Sequence, residues 1–428
     1  MRLSKLLLPL LLLNAALQAQ NLPQNDRLKK EQKENKASHK REGGSNKKSD
    51  ANVNTGNIVL GTPTDNSVTA SIILEKDCEG YIEYSVNSRY YKNKTDIFKA
   101  SNSDPIEVTL KGLLPNTQYY YRLNYRKPGE EKFTTTNESW FATQRNAHTS
   151  FSFGVQGDSH PEREGKMFHP DLYRQTISYV AERKPDFYFL MGDDFNIDRL
   201  VAGNNATKEN TERVYKIQRH YLGNAASNPP LFLVNGNHEQ GAMYLLNGTP
   251  NNAAVQAGLA RKKFFPLPEP GNFYSGDKDT VQYVGLLKDY YAFEWGNALF
   301  VVIDPYWHSV VAVDNQPSND GEEKRKKDPW NATLGKVQYE WLKKTLETSK
   351  AKFKFVFAHH VNGTGRGGVE RAKYFEWGGY GQNGQWQFDR FRSGWAMPIH
   401  QLFVKNKVTI FFQGHDHLFA KQDLDGVI

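Results

Sequence analysis

Five short motifs in this 428-residue sequence carry side chains of the kinds that bind metal ions. Their Asp, Asn and His residues offer carboxylate and amide oxygens together with imidazole nitrogens, a set that suits iron, manganese or zinc. The sequence has a single cysteine, Cys78, so a cluster of thiolate ligands is excluded. The motifs are DSH at 158–160, GDD at 192–194, GNHE at 236–239, AHH at 358–360 and GHDH at 414–417. A single motif of this type is usually structural, but five in succession predict a dinuclear metal centre.

Each motif follows a short apolar run of the kind that forms a strand buried on both faces. Helical patterns alternate with these runs, which predicts an α/β sandwich with the motifs at the carboxyl ends of its strands. The segments 240–290 and 305–333 interrupt the alternation and are expected to be long loops. The predicted helices are Asp171 to Arg183, Thr211 to Leu222, Lys336 to Ser349 and Pro398 to Lys405.

The five motifs, in this order, resemble the calcineurin-like metallophosphoesterases, a family that includes the purple acid phosphatases. The resemblance covers about residues 150–420, and we therefore expect a catalytic domain at 150–428. It implies a four-layer αββα fold, two divalent or mixed-valence ions of Fe, Mn or Zn, and hydrolysis of a small phosphorylated substrate. The nucleophile would be a hydroxide held by the metals, because coordination lowers the pKa of water toward about 7.

The resemblance also implies a role for each matching residue. Asp193 would bridge the two metals, and His238 would contact phosphate and protonate the leaving group. For the second metal His360 is an alternative to His359, which is preferred because it comes first after the strand. The first metal would be held by Asp158, His160 and His417, and the second by Asn237, His359 and His415.

One position departs from the purple acid phosphatases. Those enzymes carry a metal-binding tyrosinate in the pattern GDxxY, whereas this sequence has Asn196 at the matching position. His160 supplies a compensating ligand, so the pattern favours the broader phosphoesterase type without the tyrosinate chromophore. Asn196 and Asp194 are predicted to hold the metal ligands in position without binding metal themselves.

Residues 55–147 differ in character from the rest of the chain. Short alternating segments separated by polar turns predict a β-sandwich. The stretch LLPNTQYYYRL, with Leu113, Pro115, Thr117 and Tyr119, resembles the tyrosine corner of fibronectin type III domains. We therefore expect an all-β fibronectin type III-like domain before the catalytic domain, an order found in many purple acid phosphatases.

The start of the sequence predicts secretion. Residues 1–19 combine Arg2 and Lys5 with an apolar run and a small-residue end, the pattern of a signal peptide. Residues 20–54 are polar and are expected to form a disordered linker. Residues 1–54 hold 11 Lys and Arg against 5 Asp and Glu, which accounts for six of the eight net positive charges. The remainder is nearly neutral, so specific nucleic-acid binding is not expected. The apolar run at 6–13 is too short to span a membrane, and no other run is long enough.

These observations predict a secreted or periplasmic phosphoesterase, with a phosphomonoesterase of the acid-phosphatase type favoured. A phosphodiesterase or nucleotidase of the same fold is the alternative within the enzyme class. A non-catalytic binding or adhesion protein is the alternative outside it, although every expected ligand is retained. The family continues beyond the point that matches Ile428, so we expect the sequence to be a C-terminally truncated piece. The oligomeric state is not predicted.

Overall fold

The structure is a computed structural model that describes residues 58–428 apart from 75, 102–103, 227–228, 240, 314–327 and 361–367. The described residues all fall in one compact unit. The predicted signal peptide at 1–19 and linker at 20–54 lie outside them. Among the helices of the described ranges, none is long and apolar enough to cross a membrane.

A β-sandwich forms the first part of the described chain. Its strands are β1 (Ile58–Gly61), β2 (Ser67–Ile72), β3 (Cys78–Ser85), β4 (Asn93–Lys94), β5 (Phe98–Ala100), β6 (Ile106–Lys111), β7 (Gln118–Arg126), β8 (Thr134–Thr135) and β9 (Ser139–Ala142). Strands β1, β2 and β6 lie in one sheet, and β3 and β7 with their short neighbours form the other. Tyr119, Tyr121 and Leu123 alternate along β7 and are buried in the core between the two sheets.

Tyr119 makes the contact that its sequence pattern predicts. Its hydroxyl accepts a hydrogen bond of 2.8 Å from the backbone N–H of Leu114, and its ring stacks on Phe141 with centroids 5.5 Å apart. The predicted β-sandwich is therefore confirmed. Its assignment as a fibronectin type III-like domain stays a prediction.

The rest of the chain extends the sheet of β1, β2 and β6, called sheet I, and forms another sheet, called sheet II, that faces it. The strands of this region are β10 (Phe153–Gln156), β11 (Phe187–Leu190), β12 (Leu231–Leu233), β13 (Ser275–Gly276), β14 (Thr280–Val281), β15 (Gly285–Leu286), β16 (Tyr291–Trp295), β17 (Ala298–Val302), β18 (Phe353–Ala358) and β19 (Ile410–Gln413). Strands β14 and β15 form a separate two-stranded sheet. Sheet I has the order β10-β11-β12-β1-β2-β6, with β10, β11 and β12 parallel. Sheet II has the order β13-β16-β17-β18-β19, with β17, β18 and β19 parallel.

Sheet I runs through both predicted domains, because β1 pairs in parallel with β12 at Gly61 and Leu231. The N-terminal sandwich thus supplies three strands of the sheet that carries part of the metal-binding motifs. The predicted boundary at 147–150 between two domains stays a prediction, since both regions share these backbone hydrogen bonds.

Aromatic side chains fill the space between sheets I and II. Phe187 and Phe189 of β11 face Phe300 and Phe357 of the opposite sheet, and the rings of Phe189 and Phe357 lie 4.0 Å apart. The intervening Tyr188 and Leu190 point to the other face of sheet I, toward helices. Strand β11 is therefore buried on both faces, as its uninterrupted apolar run predicts.

Helices cover the outer face of each sheet. They are α1 (Pro170–Arg183), α2 (Asp198–Ala202), α3 (Lys208–Ala226), α4 (Ala253–Phe264), α5 (Gly335–Thr348), α6 (Phe375–Gly378), α7 (Phe388–Phe391) and α8 (Ile399–Lys405). Helices α1, α3 and α4 pack on sheet I, and α5 and α8 pack on sheet II. The predicted four-layer αββα sandwich is confirmed, and α1, α3, α5 and α8 correspond to the four predicted helices.

Helix α4 corrects the expectation of a long loop at 240–290. Ala254, Ala257 and Phe264 are fully buried, and Arg261 near the helix end is 5% exposed. A helix that is buried around most of its circumference lacks the one-sided apolar stripe by which a surface helix is recognised. The sequence therefore gave no helical signal there.

Replacing Tyr119 by Phe should lower the free energy of unfolding by about 0.5–1.5 kcal/mol, the usual net value of one hydrogen bond. The ring packing on Phe141 would be kept, while the N–H of Leu114 would lose its acceptor. Denaturant unfolding of the full chain measures the change. Tyr120→Phe, on the opposite face of β7, is the control, and an equal loss in both variants would contradict the role of the Tyr119 hydroxyl.

Candidate metal centre

Every predicted metal-binding residue follows the carboxyl end of a strand in sheet I or sheet II. The parallel strands of each sheet bring these ends to one edge of the sandwich, where the two sheets face each other. Asp158 and His160 follow β10, Asp193 follows β11, Asn237 follows β12, His359 follows β18, and His415 and His417 follow β19.

The side chains converge into one continuous cluster. Nitrogen and oxygen atoms form four groups of three residues, and within each group the atoms lie within 4.8 Å of one another. Each group shares a member with another, so the groups are parts of a single site. They are Asp158, His160 and His417; His160, Asp193 and His238; Asp158, Asp193 and His359; and His359, His360 and His415.

Asp193 lies between the groups. Its Oδ2 is 3.0 Å from Nε2 of His359 and 3.7 Å from Nε2 of both His160 and His238. Its carboxylate therefore faces donors from three different motifs. On the side of the first motif, Nε2 of His417 lies 3.1 Å from both Asp158 Oδ2 and His160 Nε2.

The donor set fits cations. Asn237 is 8% exposed, and its buried Oδ1 has no hydrogen-bond partner among the described residues. A buried amide oxygen without a partner is costly unless another group satisfies it. A metal ion beside Asp193 would do so, and the neighbouring imidazoles and carboxylates are ligands that Fe, Mn and Zn accept.

The backbone is strained at four residues of the cluster. Asp193, His160, His415 and His417 have positive φ values of 59°, 46°, 71° and 49°. Left-handed backbone at residues with a Cβ costs roughly 1–3 kcal/mol and persists where surrounding contacts enforce it. All four of these residues contribute side-chain atoms to the cluster.

Two histidines have their outer ring nitrogen committed to a partner. Nδ1 of His160 lies 2.9 Å from Oε1 of Glu162, and Nδ1 of His359 lies 2.8 Å from the carbonyl oxygen of Met191. These partners leave Nε2 of each ring for the cluster, the arrangement usual around metal-binding histidines.

Asp193 and His359 shift each other's pKa in opposite directions. Burial disfavours the charge of Asp193, but the charges of His359 and His238 hold the pKa of its carboxyl well below the usual range. Burial also opposes the charge of His359, but Asp193 raises the pKa of that imidazole to about 10. A cation bound here would take the place of the imidazole proton, because a ligating histidine must be neutral.

Glu239 holds the loops of two motifs together, and the sequence analysis assigned it no role. Its fully buried carboxylate accepts hydrogen bonds from the N–H groups of Asp193, Asp194, Phe195 and Gly236 at 2.7–3.2 Å. The Glu at the end of GNHE was the signal that could have revealed it.

Asp194 and Asn196, for which the sequence predicts a supporting role, make hydrogen bonds beside the cluster. Asp194 is buried, and its Oδ1 accepts a hydrogen bond of 2.6 Å from the hydroxyl of Ser159, inside the first motif. Asn196 Oδ1 accepts from the backbone N–H of Asp198 at 2.9 Å. The Asp194 contact joins two motifs, whereas the Asn196 contact is a local turn within one loop.

His238, like His160, has a carboxylate as the partner of its outer ring nitrogen. Its Nδ1 forms a short hydrogen bond with the carboxylate of Asp198. Burial opposes its charge, but Asp198 and Asp193 raise the pKa of His238 to about 9. Its ring borders a cavity of about 60 Å³ whose other walls include Asp198, Asn237, Tyr244 and Tyr306.

Comparison with known proteins gives one family and several related folds. The family model described as calcineurin-like phosphoesterase matches residues 151–419. The structure is similar to that of PhoD, with a TM-score of 0.49 and 17% identity over 73% of this chain and 63% of the other. It is also similar to purple acid phosphatase PPD1 from yellow lupin (Lupinus luteus) seeds, with a TM-score of 0.49 and 17% identity over 84% and 58%. The chain thus spans less than two thirds of either protein. No curated protein matches its sequence.

Replacing Gly236 by Ala should weaken metal binding by about 10–100-fold, the usual effect of disturbing the groups behind a ligand. A Cβ at this position would lie 2.2 Å from Oδ1 and 2.4 Å from the backbone nitrogen of Asp193, so Asp193 would have to move. Metal content after dialysis against graded chelator measures the effect. Gly157→Ala is the control, because its Cβ would have no neighbour within 4 Å. Equal metal affinity in the two variants would contradict this placement of Asp193.

Proposed function

This chain belongs to the calcineurin-like phosphoesterase family, and from this membership we propose that it is a metal-dependent hydrolase of phosphate monoesters. The observation that carries the proposal is the single cluster in which Asp193 faces donors from three motifs. A non-catalytic protein would not need this buried, strained set of donors. Secretion is also part of the proposal and rests on the sequence of residues 1–19 alone.

The proposed ligands form two sets joined by Asp193. Asp158, His160 and His417 would hold one ion, and the close approach of their ring and carboxylate atoms supports this set. Asn237, His359 and His415 would hold the other, supported by the buried Oδ1 of Asn237 and the orientation of His359. Asp193 would bridge the ions, since its carboxylate belongs to groups on both sides.

When bound, two such ions would activate a water molecule and neutralise charge on the phosphoryl oxygens. The leaving oxygen needs a proton at the same time, and His238 is the residue proposed to give it. Its Nδ1 is held by Asp198, so Nε2 is directed toward the cluster, 3.7 Å from Oδ2 of Asp193. Asn196 supports this pair through its hydrogen bond to the N–H of Asp198.

The cavity beside His238 favours a small leaving group. Its volume of about 60 Å³ is far below the roughly 300–1,000 Å³ of sites that enclose drug-sized ligands. The ester group next to His238 would therefore be a small alcohol. Asp158, His160 and His417 border a larger cavity of about 920 Å³, which offers space for the rest of a substrate.

Asp193→Asn should remove at least one of the two ions and lower kcat/KM by at least about 1,000-fold. An amide cannot bridge two cations as a carboxylate does, and metal-based charge stabilisation is worth several kcal/mol, each 1.36 kcal/mol being tenfold. Elemental analysis and a monoester assay measure both effects. Asp171→Asn, at a fully exposed carboxylate, is the control. Two retained ions with normal turnover would contradict the bridging role.

His238→Asn should leave both ions bound and lower turnover by about 100-fold to 10,000-fold, the usual contribution of a positioned acid. The loss should be largest for alkyl phosphates and smaller for nitrophenyl phosphate, whose leaving group departs without a proton. Turnover across esters of graded leaving-group pKa measures the difference. The exposed His148→Asn serves as control. A uniform loss across all substrates, or loss of an ion, would refute the acid role.

A further inference from the structure

The small cavity beside His238 has two kinds of wall. One part of its lining is polar and belongs to the proposed site, namely Asp198, Asn237 and His238. The other part is apolar or aromatic and consists of Ala242, Tyr244, Tyr306, Ala312 and Val313. In the proposed reaction the polar residues serve a metal ion and the leaving oxygen. The apolar and aromatic residues are then the ones that face the carbon side of the ester.

Exposure to solvent separates Tyr244 from the other apolar and aromatic wall residues. Tyr244 is 38% exposed, whereas Ala242, Tyr306 and Val313 are 3–5% exposed. Ala312 is half-buried, but its side chain is a single methyl group. A large side chain that lines a cavity and also reaches solvent lies at the mouth of that cavity. The ring of Tyr244 therefore borders the entrance through which an ester group would pass.

The turn that carries Tyr244 is anchored on helix α4. Tyr244 is the middle residue of a single 3-10 turn, Met243–Leu245. Leu245 packs on the buried cluster that contains Ala254 and Val255 of α4. It also packs on a second cluster that contains two further alanines of the same helix. These contacts fix the position of the turn, so the Tyr244 ring has a defined place at the cavity mouth.

Two other wall residues share the support of helix α4. Asp198 follows Ile197, which is fully buried in a cluster with two alanines of α4. Tyr306 precedes Trp307, and a Cβ added at Gly258 of α4 would lie 3.4 Å from the Trp307 ring, so the helix and the indole are in contact. Helix α4 thus supports both aromatic walls and the carboxylate that holds the proposed acid.

The volume and the chemistry of the cavity limit what can enter it. A buried water molecule needs about 10–15 Å³ of such space, so the cavity of about 60 Å³ has room for roughly four non-hydrogen atoms. Alanine and valine side chains cannot form hydrogen bonds. A hydroxyl group placed against them would lose its hydrogen bonds to water, whereas an alkyl group would lose none. The cavity therefore suits a short apolar group.

We propose that Tyr244 determines the leaving-group specificity of this site, and that the preferred substrates are phosphate monoesters of small apolar alcohols. This rests on the proposed phosphoesterase function and names the substrate class of that site. The Tyr244 ring contacts the alkyl group and excludes larger groups at the cavity mouth. In this role Tyr244 acts through the size of its ring, and not through metal binding or proton transfer.

Esters of graded size test the proposal. Ethyl phosphate and 2-cyclohexylethyl phosphate release alcohols of similar acidity, so they differ in size and not in their need for a proton. We expect Tyr244→Ala to raise kcat/KM for the larger ester relative to the smaller by about 10–200-fold, the usual range for size discrimination by an apolar pocket. Tyr244→Phe keeps the ring and should leave this ratio unchanged, and Tyr244→Trp should lower it.

The matched control is Met243→Ala. Met243 is 37% exposed on the same turn and is not among the described residues that line the cavity. Its replacement by alanine removes a large side chain of similar exposure, and the ratio of the two esters should not change. Metal analysis of every variant should give the zinc content of the wild type, which shows that the site is intact.

Binding of phosphonates gives a readout that requires no turnover. Calorimetry of the zinc-loaded full chain measures the affinities for ethylphosphonate and 2-cyclohexylethylphosphonate, which cannot be hydrolysed. The wild type should prefer the smaller ligand. Tyr244→Ala should shift the ratio of the two affinities toward the larger ligand by about 10–200-fold, and Tyr244→Phe should keep the preference of the wild type.

Unchanged ratios in Tyr244→Ala and Tyr244→Trp would overturn the inference and would place the ester group in the larger cavity bordered by Asp158, His160 and His417. An equal shift in Met243→Ala would also overturn it, because the turn and not the Tyr244 ring would then set the specificity. A wild type that prefers the small phosphonate yet hydrolyses no ester would contradict the proposed function alone. A wild type that hydrolyses both esters without a size preference would contradict the inference alone.

Discussion

The contact between Asp193 and His359 is the constraint on which the rest of the site depends, because it joins the ends of the two sheets. Asp193 follows a strand of sheet I and His359 follows a strand of sheet II, and the two side chains meet at 3.0 Å in a buried position. A buried carboxylate is unfavourable unless positive charges and hydrogen bonds compensate for it. Here the histidines of several motifs and the N–H of His238 provide that compensation. The same groups would serve a cation in place of protons.

The sandwich core sets the separation at which these ends meet. Phe189 of sheet I, four positions before Asp193, stacks on Phe357 of sheet II, two positions before His359. Packed sheets stand about 10 Å apart, a gap that side chains from both edges can close over one or two ions. Glu239 then fixes the local geometry by accepting four backbone N–H groups from two loops. Rigid strands and one buried carboxylate thus permit the strained backbone of Asp193.

The N-terminal sandwich is more closely joined to this scaffold than its separate sequence character suggests. Its strand β1 extends sheet I beside β12, whose end carries Asn237 and His238. A second link is Arg219 of α3, which donates to the backbone carbonyls of Ser71 in the sandwich and Phe264 in α4. The stability of the sandwich and the alignment of sheet I are therefore coupled through backbone and side-chain hydrogen bonds.

The sequence by itself determined the strands that precede the five motifs, the four main surface helices and the identity of the clustered residues. These features are local: an apolar run or a one-sided stripe is visible in neighbouring residues, and so are Asp, Asn and His at a strand end. The tertiary structure alone decided the buried helix α4, the sheet shared by the two regions, and the partners Glu239, Asp198 and Tyr306. The tertiary structure also gives His359 and His360 different hydrogen-bond partners. The two are identical in sequence terms, and only packing places a carbonyl beside one ring and a hydroxyl beside the other.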